Sequence, residues 1–344
     1  MSLFDILITY LIISTIFNFC DRYKKGSFYV NLIILTSITG TMYENAYGDY
    51  TAYRLGFEEL KFSLEIPSGE IGLNYLNLLI KLFTDKFTIA FFIYMLIINF
   101  FILRFIYKNS KNIGASILMY TILGGYATST NIMRQFLALS IYLMAIDALL
   151  KNNKKNYIII SIIAFCFHKS IAIAVVFTLF VKFFNDKLYE HYIIFFLISN
   201  AVIIVEPVIR KVGIEFLYGS YSMDSFDYGS SILHYLVQLF FVGFYYFSRK
   251  YINNEEEKFY SNIVMIGLAF TLLSQNMVLY ARFATYFTFF NCINFVNIGH
   301  KLPIKVKRIS GYLIILLLLV YYKFLTLRQF ESMSNYLIEY IYKR

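Results

Sequence analysis

Residues 89–103 carry no charged side chain at any of their fifteen positions, and the run is continuous rather than alternating. Similar apolar stretches recur along the chain, at 313–322 and its neighbours among others. A run of this kind constrains the fold more than any motif does. A helix of about 20 apolar residues crosses the ~30 Å hydrocarbon core of a bilayer. A transmembrane barrel would need ~10-residue segments of alternating polarity instead. The composition extends the argument to the whole chain. Of 344 residues 59% are hydrophobic and 15% charged, with a mean hydropathy of +0.62. Soluble domains carry roughly 45–50% apolar and about 25% charged residues. A cytosolic enzyme, a secreted domain and a disordered chain are all excluded. An all-α, polytopic integral membrane bundle is left.

The apolar stretches predict about twelve spans, at 3–19, 28–42, 88–107, 113–128, 132–150, 157–168, 170–184, 189–205, 231–248, 259–278, 283–299 and 311–327. Little chain remains for anything but loops, so residues 1–344 read as a single transmembrane domain. The first stretch has no basic region before it and no small-residue cleavage site after it, and reads as a retained span. The pair joined at Phe167-His168-Lys169 is short. The net charge of +10 calls for no nucleic-acid partner, because Lys and Arg in cytoplasmic loops account for it. Cys20, Cys166 and Cys292 are scattered, giving neither a disulfide framework nor a zinc site.

Segment 71–84 has helical periodicity, but fourteen residues rise only about 21 Å. Charge decides its placement. If it does not span, Arg22/Lys24/Lys25, Lys108/Lys111, Lys151/Lys154/Lys155, Arg249/Lys250 and Lys301–Arg308 all fall on one side, which the positive-inside rule makes cytoplasmic. Residues 43–87 are therefore expected outside, with 71–84 an amphipathic or re-entrant helix. Residues 206–230 form a second external loop, and both termini come out external. The stretch 43–70 combines Glu44, Asp49, Glu58, Glu59, Glu65 and Glu70 with Tyr43, Tyr47, Tyr50 and Tyr53. Such a surface suits a carbohydrate, whose hydroxyls donate to carboxylates and whose apolar faces stack on rings. It equally suits an interfacial aromatic belt, and composition leaves both readings open.

Ionisable groups inside spans are costly unless they have a partner or a wet cavity. Arg134, His168 and Arg282 all fall at the external ends of predicted spans, on the side that also holds Asp49. Arg grips phosphate through planar, bidentate hydrogen bonds, so two of them at one leaflet could hold a lipid diphosphate. Snorkelling to ordinary lipid phosphates is the competing reading, and it is the reading for Arg104. Asp147 precedes Lys151 by one helical turn, which predicts a helix-end ion pair. Gly124-Gly125 predicts close packing or a bend, since no phosphate-loop pattern follows. No Ser-His-Asp, HExxH or dinucleotide pattern occurs. The external carboxylates have no spacing that specifies a metal.

In order along the chain come Gly48-Asp49-Tyr50 with Tyr53, Glu70-Ile71-Gly72-Leu73, Arg134-Gln135 with Ala138, His168-Lys169-Ser170, and Arg282-Phe283-Ala284-Thr285-Tyr286-Phe287. This order resembles the EpsG/Wzy-type polysaccharide polymerase family, over residues 43 to 290. The resemblance implies a GT-C-like membrane glycosyltransferase. Its substrate would be oligosaccharide repeat units on undecaprenyl diphosphate, joined at the outer face of the bacterial plasma membrane without a cofactor. The product would be a capsule, exopolysaccharide or O-antigen. Membrane lipid, and a chain-length regulator and flippase of the same pathway, are the partners it implies. On the residues here, Arg134 and Arg282 would bind diphosphate, Asp49 would deprotonate the acceptor hydroxyl, and His168 would hydrogen-bond phosphate or sugar. Tyr50, Tyr53, Glu70, Gln135, Ser170 and Tyr286 would contact substrate. Phe283-Ala284 departs from the usual family pattern and makes the second Arg site the looser one. A lipid-linked oligosaccharide flippase is the main competing reading; it predicts two related halves and polar residues continuing across the membrane. An O-antigen ligase-like transferase is the third.

Overall fold

The computed structural model describes residues 24–40, 49–61, 70–183, 188–191, 194–195, 197–199 and 232–304. The expected spans 3–19 and 311–327, the loop 206–230, Cys20, residues 43–48 and 62–69 of the external stretch, and most of 189–205 lie outside the described residues. Among the described residues every regular element is a helix, as the continuous apolar runs require. The chain divides into two compact units between Lys169 and Ser170.

The first unit contains α1 (Lys24–Gly40), α2 (Tyr50–Glu59), α3 (Ile71–Lys81), α4 (Phe87–Asn109), α5 (Ile113–Ile122), α6 (Gly125–Asn131), α7 (Met133–Leu150) and α8 (Lys154–Phe167). α1 packs on α4, α4 on α7, and α7 on α8. α4 and α7 are long and apolar enough to cross a membrane. α4, with 23 residues, rises about 35 Å. It buries Phe91, Tyr94, Met95, Ile98, Ile102 and Phe105.

The expected single span 113–128 is two helices. Gly124 sits at φ 82°, in the left-handed region that an L side chain rarely adopts, and the chain turns there into α6. A second break at Ile132 separates α6 from α7. It leaves the Asn131 carbonyl, at the end of α6, free of the helix ladder and able to accept a side-chain donor. Gly124-Gly125 is thus a bend, one of the two outcomes the sequence allows, and Gly125 also packs closely on Tyr120.

α3 is shorter than the expected 71–84. Its 11 residues rise about 16 Å, half a hydrocarbon core, so it does not cross by itself. Leu73, Asn77 and Ile80 are buried, while Ile71, Tyr75 and Leu79 form an exposed apolar stripe, a surface suited to lipid. Asn77 accepts the Tyr94 hydroxyl. Lys81 donates to the carbonyls of Glu58 and Leu60 at 3.2 and 2.6 Å, and thereby caps the C-terminus of α2, where a cation is favourable.

Asp147 pairs with Lys108, and Asn109 donates to its other oxygen at 3.3 Å. This corrects the expected Asp147–Lys151 pair. α7 packs on α4, so the buried carboxylate meets the end of that helix, whereas Lys151 is already past the last turn and exposed.

The second unit contains α9 (Ile171–Phe183), a 3-10 turn (Leu188–His191), α10 (Ile232–Phe247), a further 3-10 turn (Arg249–Tyr251), α11 (Glu255–Leu273), α12 (Leu279–Thr288) and α13 (Asn291–Lys301). α11 packs against α9, α10, α12 and α13. Leu273, Met277, Leu279, Tyr280 and Phe283 form a core cluster, and Phe270 stacks on Phe287 with ring centroids 5.4 Å apart. The expected span 283–299 is again two helices, joined through tight turns at Phe289-Phe290. α13 buries Asn291, Asn294 and Asn297. Asn291 donates to Gln238 and accepts from Tyr245, and Asn294 donates to Ser261. Lys301 pairs with the buried Glu257 at 2.6 Å.

Candidate functional site

Four of the polar residues singled out by sequence terminate helices of the first unit. Asp49 is the N-cap of α2, Glu70 the N-cap of α3, Arg134 the second residue of α7, and His168 the C-cap of α8. The two carboxylates stand where a helix dipole favours an anion. Arg134 stands where it disfavours a cation, so its placement needs a compensating negative charge.

Glu70 supplies that charge. Its Oε2 lies 3.2 Å from Arg134 Nη1, and its Oε1 receives His168 Nδ1. Side-chain exposures are 12% for Glu70, 35% for Arg134 and 17% for His168; the carboxylate is the deepest of the three. A carboxylate only accepts, so Nδ1–H donates, and in the neutral ring Nε2 is left as an acceptor. The Arg134 contact differs in kind. It is an ion pair without hydrogen-bond alignment, and among the described residues neither Glu70 Oε2 nor Arg134 Nε has a hydrogen-bond partner.

A close helix approach brings Glu70 to His168. α3 packs on α8, and a Cβ built on Gly72 would lie 2.9 Å from the carbonyl carbon of Cys166. Only glycine admits that spacing. Two residues before Gly72 is Glu70, and two residues after Cys166 is His168.

The other side of Arg134 is held by α2. The guanidinium carbon lies 5.2 Å from the Tyr53 ring centroid, within cation–π range. The Tyr53 hydroxyl lies 3.2 Å from Asp49 Oδ2 and 3.3 Å from the Asn131 carbonyl, while Asp49 N–H donates to Asn131 Oδ1 at 3.3 Å. Asn131 is a site residue the sequence reading did not single out. Its role depends on the break at Ile132, which no motif announces.

The remaining expected residues separate into two groups. Tyr50 is buried edge-on against Phe87 and Phe91 and belongs to the core. Gln135 is buried in the first turn of α7. In the second unit, Arg282 lies half-buried in the first turn of α12. Ser170 and Tyr286 are both buried, with their hydroxyls 2.7 Å apart, so each satisfies the other. Among the described residues no cluster of three or more His, Cys, Asp or Glu could hold a metal ion.

Along α7, Arg134 and Asp147 are about 20 Å apart. The Glu70–Arg134–His168 cluster therefore occupies one end of this unit. Asp147–Lys108 and the exposed Lys111, Lys151, Lys154 and Lys155 occupy the other.

The family model described as EpsG matches residues 25–342, nearly the whole chain. The chain belongs to the EpsG family. This is the Wzy/EpsG-type polysaccharide polymerase family, and the apolar helices of this EpsG protein agree with a membrane protein of that class. The resemblance read from the motifs is borne out. No curated protein and no solved structure matches the chain.

Proposed function

We propose that this EpsG-family protein is a GT-C-like membrane glycosyltransferase of about twelve spans, a single membrane domain, that polymerises undecaprenyl-diphosphate-linked oligosaccharide repeat units at the outer face of the plasma membrane. The observation that carries the reading is the convergence of Arg134, His168, Glu70, Tyr53 and Asp49 at one end of the first unit. The lysine-rich opposite end suits the cytoplasmic side, which turns the cluster outward.

In the proposed reaction, an acceptor sugar hydroxyl attacks the anomeric carbon of the donor chain. The new C–O bond forms as the bond from that carbon to the diphosphate oxygen breaks. The lipid diphosphate leaves with the electron pair, and the hydroxyl proton passes to Asp49. Tyr53 holds one Asp49 oxygen and so orients the carboxylate. Arg134 stabilises charge on the departing diphosphate, the kind of contribution that is often the largest in such sites. A positioned base adds ~10²–10⁴-fold. Glu70 meets Arg134 and His168, which supports a role beside the phosphate in addition to the sugar contact the family resemblance implies.

A flippase is the second reading, favoured by the buried stripe Asn291, Asn294 and Asn297 and the half-buried Lys301 on α13. Such residues also serve as hydrogen-bonding glue between membrane helices, and the partners of Asn291 and Asn294 fit that role. Proteoliposomes supplied with lipid-linked repeat units on the external face separate the two. A ladder of longer products supports the polymerase. Movement of unextended lipid between leaflets with no ladder supports the flippase.

A further inference from the structure

The phosphate-binding role proposed for Arg134 meets an obstacle in the structure: its guanidinium is already taken by a carboxylate. Arg134 brings one positive charge, Glu70 and Asp49 two negative ones, and Tyr53 links Asp49 to the same guanidinium face. An anion entering the site meets a resident carboxylate on Arg134 Nη1 and has to compete with it for the guanidinium.

A membrane protein is surrounded by phospholipids whose phosphodiester headgroups each carry one negative charge. An unguarded Arg at a membrane surface is occupied by them. From the resident carboxylate we infer that Glu70 is a specificity-determining residue, an internal anion that keeps phosphodiester headgroups off Arg134 and yields only to a lipid diphosphate. The inference rests on the function proposed above.

Three observations support it. Glu70 is tethered to the same unit, so it competes at a high effective concentration. It is mostly buried, and displacing it for a singly charged headgroup exchanges one single-charge contact for another while leaving a buried carboxylate short of its partner. Its hold on Arg134 is nevertheless one-sided and lacks hydrogen-bond alignment. A diphosphate has more charge and oxygens on two phosphorus atoms, and it can take the guanidinium bidentately. The geometry is therefore strong enough to exclude a weak anion and weak enough to release to a strong one. His168 retains the Glu70 carboxylate through its other oxygen, which gives the displaced group a place to stay.

The test places the full chain in nanodiscs of phosphatidylcholine, with or without one part in three (roughly) phosphatidylglycerol, and measures Kd for a fluorescent short-chain polyprenyl diphosphate. Anionic lipid repels the probe from every variant alike. The readout is thus the factor by which phosphatidylglycerol raises Kd, divided by the wild-type factor. Glu70→Gln is expected to give a ratio of roughly five, the size of one partly exposed ion pair. Glu70→Asp retains the charge on a shorter arm and is expected to give a smaller rise of the same sign. A ratio of one or below for Glu70→Gln overturns the inference. If that variant does not fold, as judged by its melting curve, a ratio of one or below for Glu70→Asp overturns it. Arg134→Ala separates this failure from that of the underlying reading. Unchanged probe binding in Arg134→Ala removes the phosphate role itself. Lost binding in Arg134→Ala together with a ratio of one in Glu70→Gln removes only the selectivity assigned to Glu70.

Discussion

The Arg134 guanidinium and the Glu70 carboxylate lie 3.2 Å apart, each at the first residues of a different helix. The pair joins two parts of the chain that no local pattern connects. It also places an obligate cation where the dipole of α7 opposes it, so the ion pair and the proposed anion binding answer the same electrostatic need.

Removing the guanidinium should cost more than removing a ring beside it. Arg134→Ala is expected to lower the initial rate of ladder growth by roughly 10²-fold or more, the scale of losing one charge-stabilising donor group. Arg134→Lys keeps the charge but loses the planar fork, and should recover only part of that rate. Tyr50→Phe, altered within an aromatic core, should stay close to wild type. Equal rates for Arg134→Ala and wild type would contradict the site.

Tyr53→Phe keeps the ring under Arg134 and deletes the hydroxyl that reaches Asp49 and Asn131. The expected cost is about 1.5–3 kcal/mol, from loss of a hydrogen bond to a charged group, read as a drop in kcat of roughly tenfold or more with little change in KM. A change confined to KM would mean that the hydroxyl contacts substrate instead of orienting Asp49.

Gly72→Ala pushes a methyl into the backbone of Cys166. It should destabilise the protein by about 1–3 kcal/mol and reduce ladder growth by moving Glu70 off His168. Gly56→Ala is the control. It lies in α2 with nothing within 4 Å of the added carbon, and alanine there should be neutral or stabilise by up to about 1 kcal/mol. Thermal unfolding in detergent distinguishes the two; similar melting temperatures would remove the close-packing argument.

At the far end of α7, Asp147 is bound by Lys108 and Asn109. Lys108→Ala strands a carboxylate that is only 8% exposed. It should cost about 1–3 kcal/mol, below the full value of a buried pair because Lys108 is partly in solvent. Lys151→Ala should remain within about 0.5 kcal/mol of wild type. The reverse order in melting temperature would restore the pairing that sequence spacing favours.

Much of this was legible in the residues. The predicted helices at 88–107 and 132–150 match α4 and α7 within two residues at each end, because apolar character over a full span is a local property. Positive-inside reasoning put Asp49, Arg134 and His168 on one side, and the structure brings them to one end of the first unit. Other surroundings were not legible, for a common reason. Tyr50 looks like a sugar-stacking ring in the sequence but is core, since a tyrosine's role depends on which helix it faces. Ser170 and Tyr286 each look available in the sequence, yet they bond to each other.

The amino-acid sequence by itself determined that this chain is a bundle of apolar helices with its ionisable groups gathered at helix ends, since solvation penalises charge along a hydrophobic run wherever the chain goes. It also carried the family, through short motifs whose order survives without coordinates. Only the tertiary structure decided which charges meet. Among 21 acidic residues, Arg134 takes Glu70 and Asp147 takes Lys108, because helix packing selects the partners. Coulomb attraction is too unspecific to do so, whereas a single glycine's clearance against a neighbouring backbone fixes which two helix ends can touch.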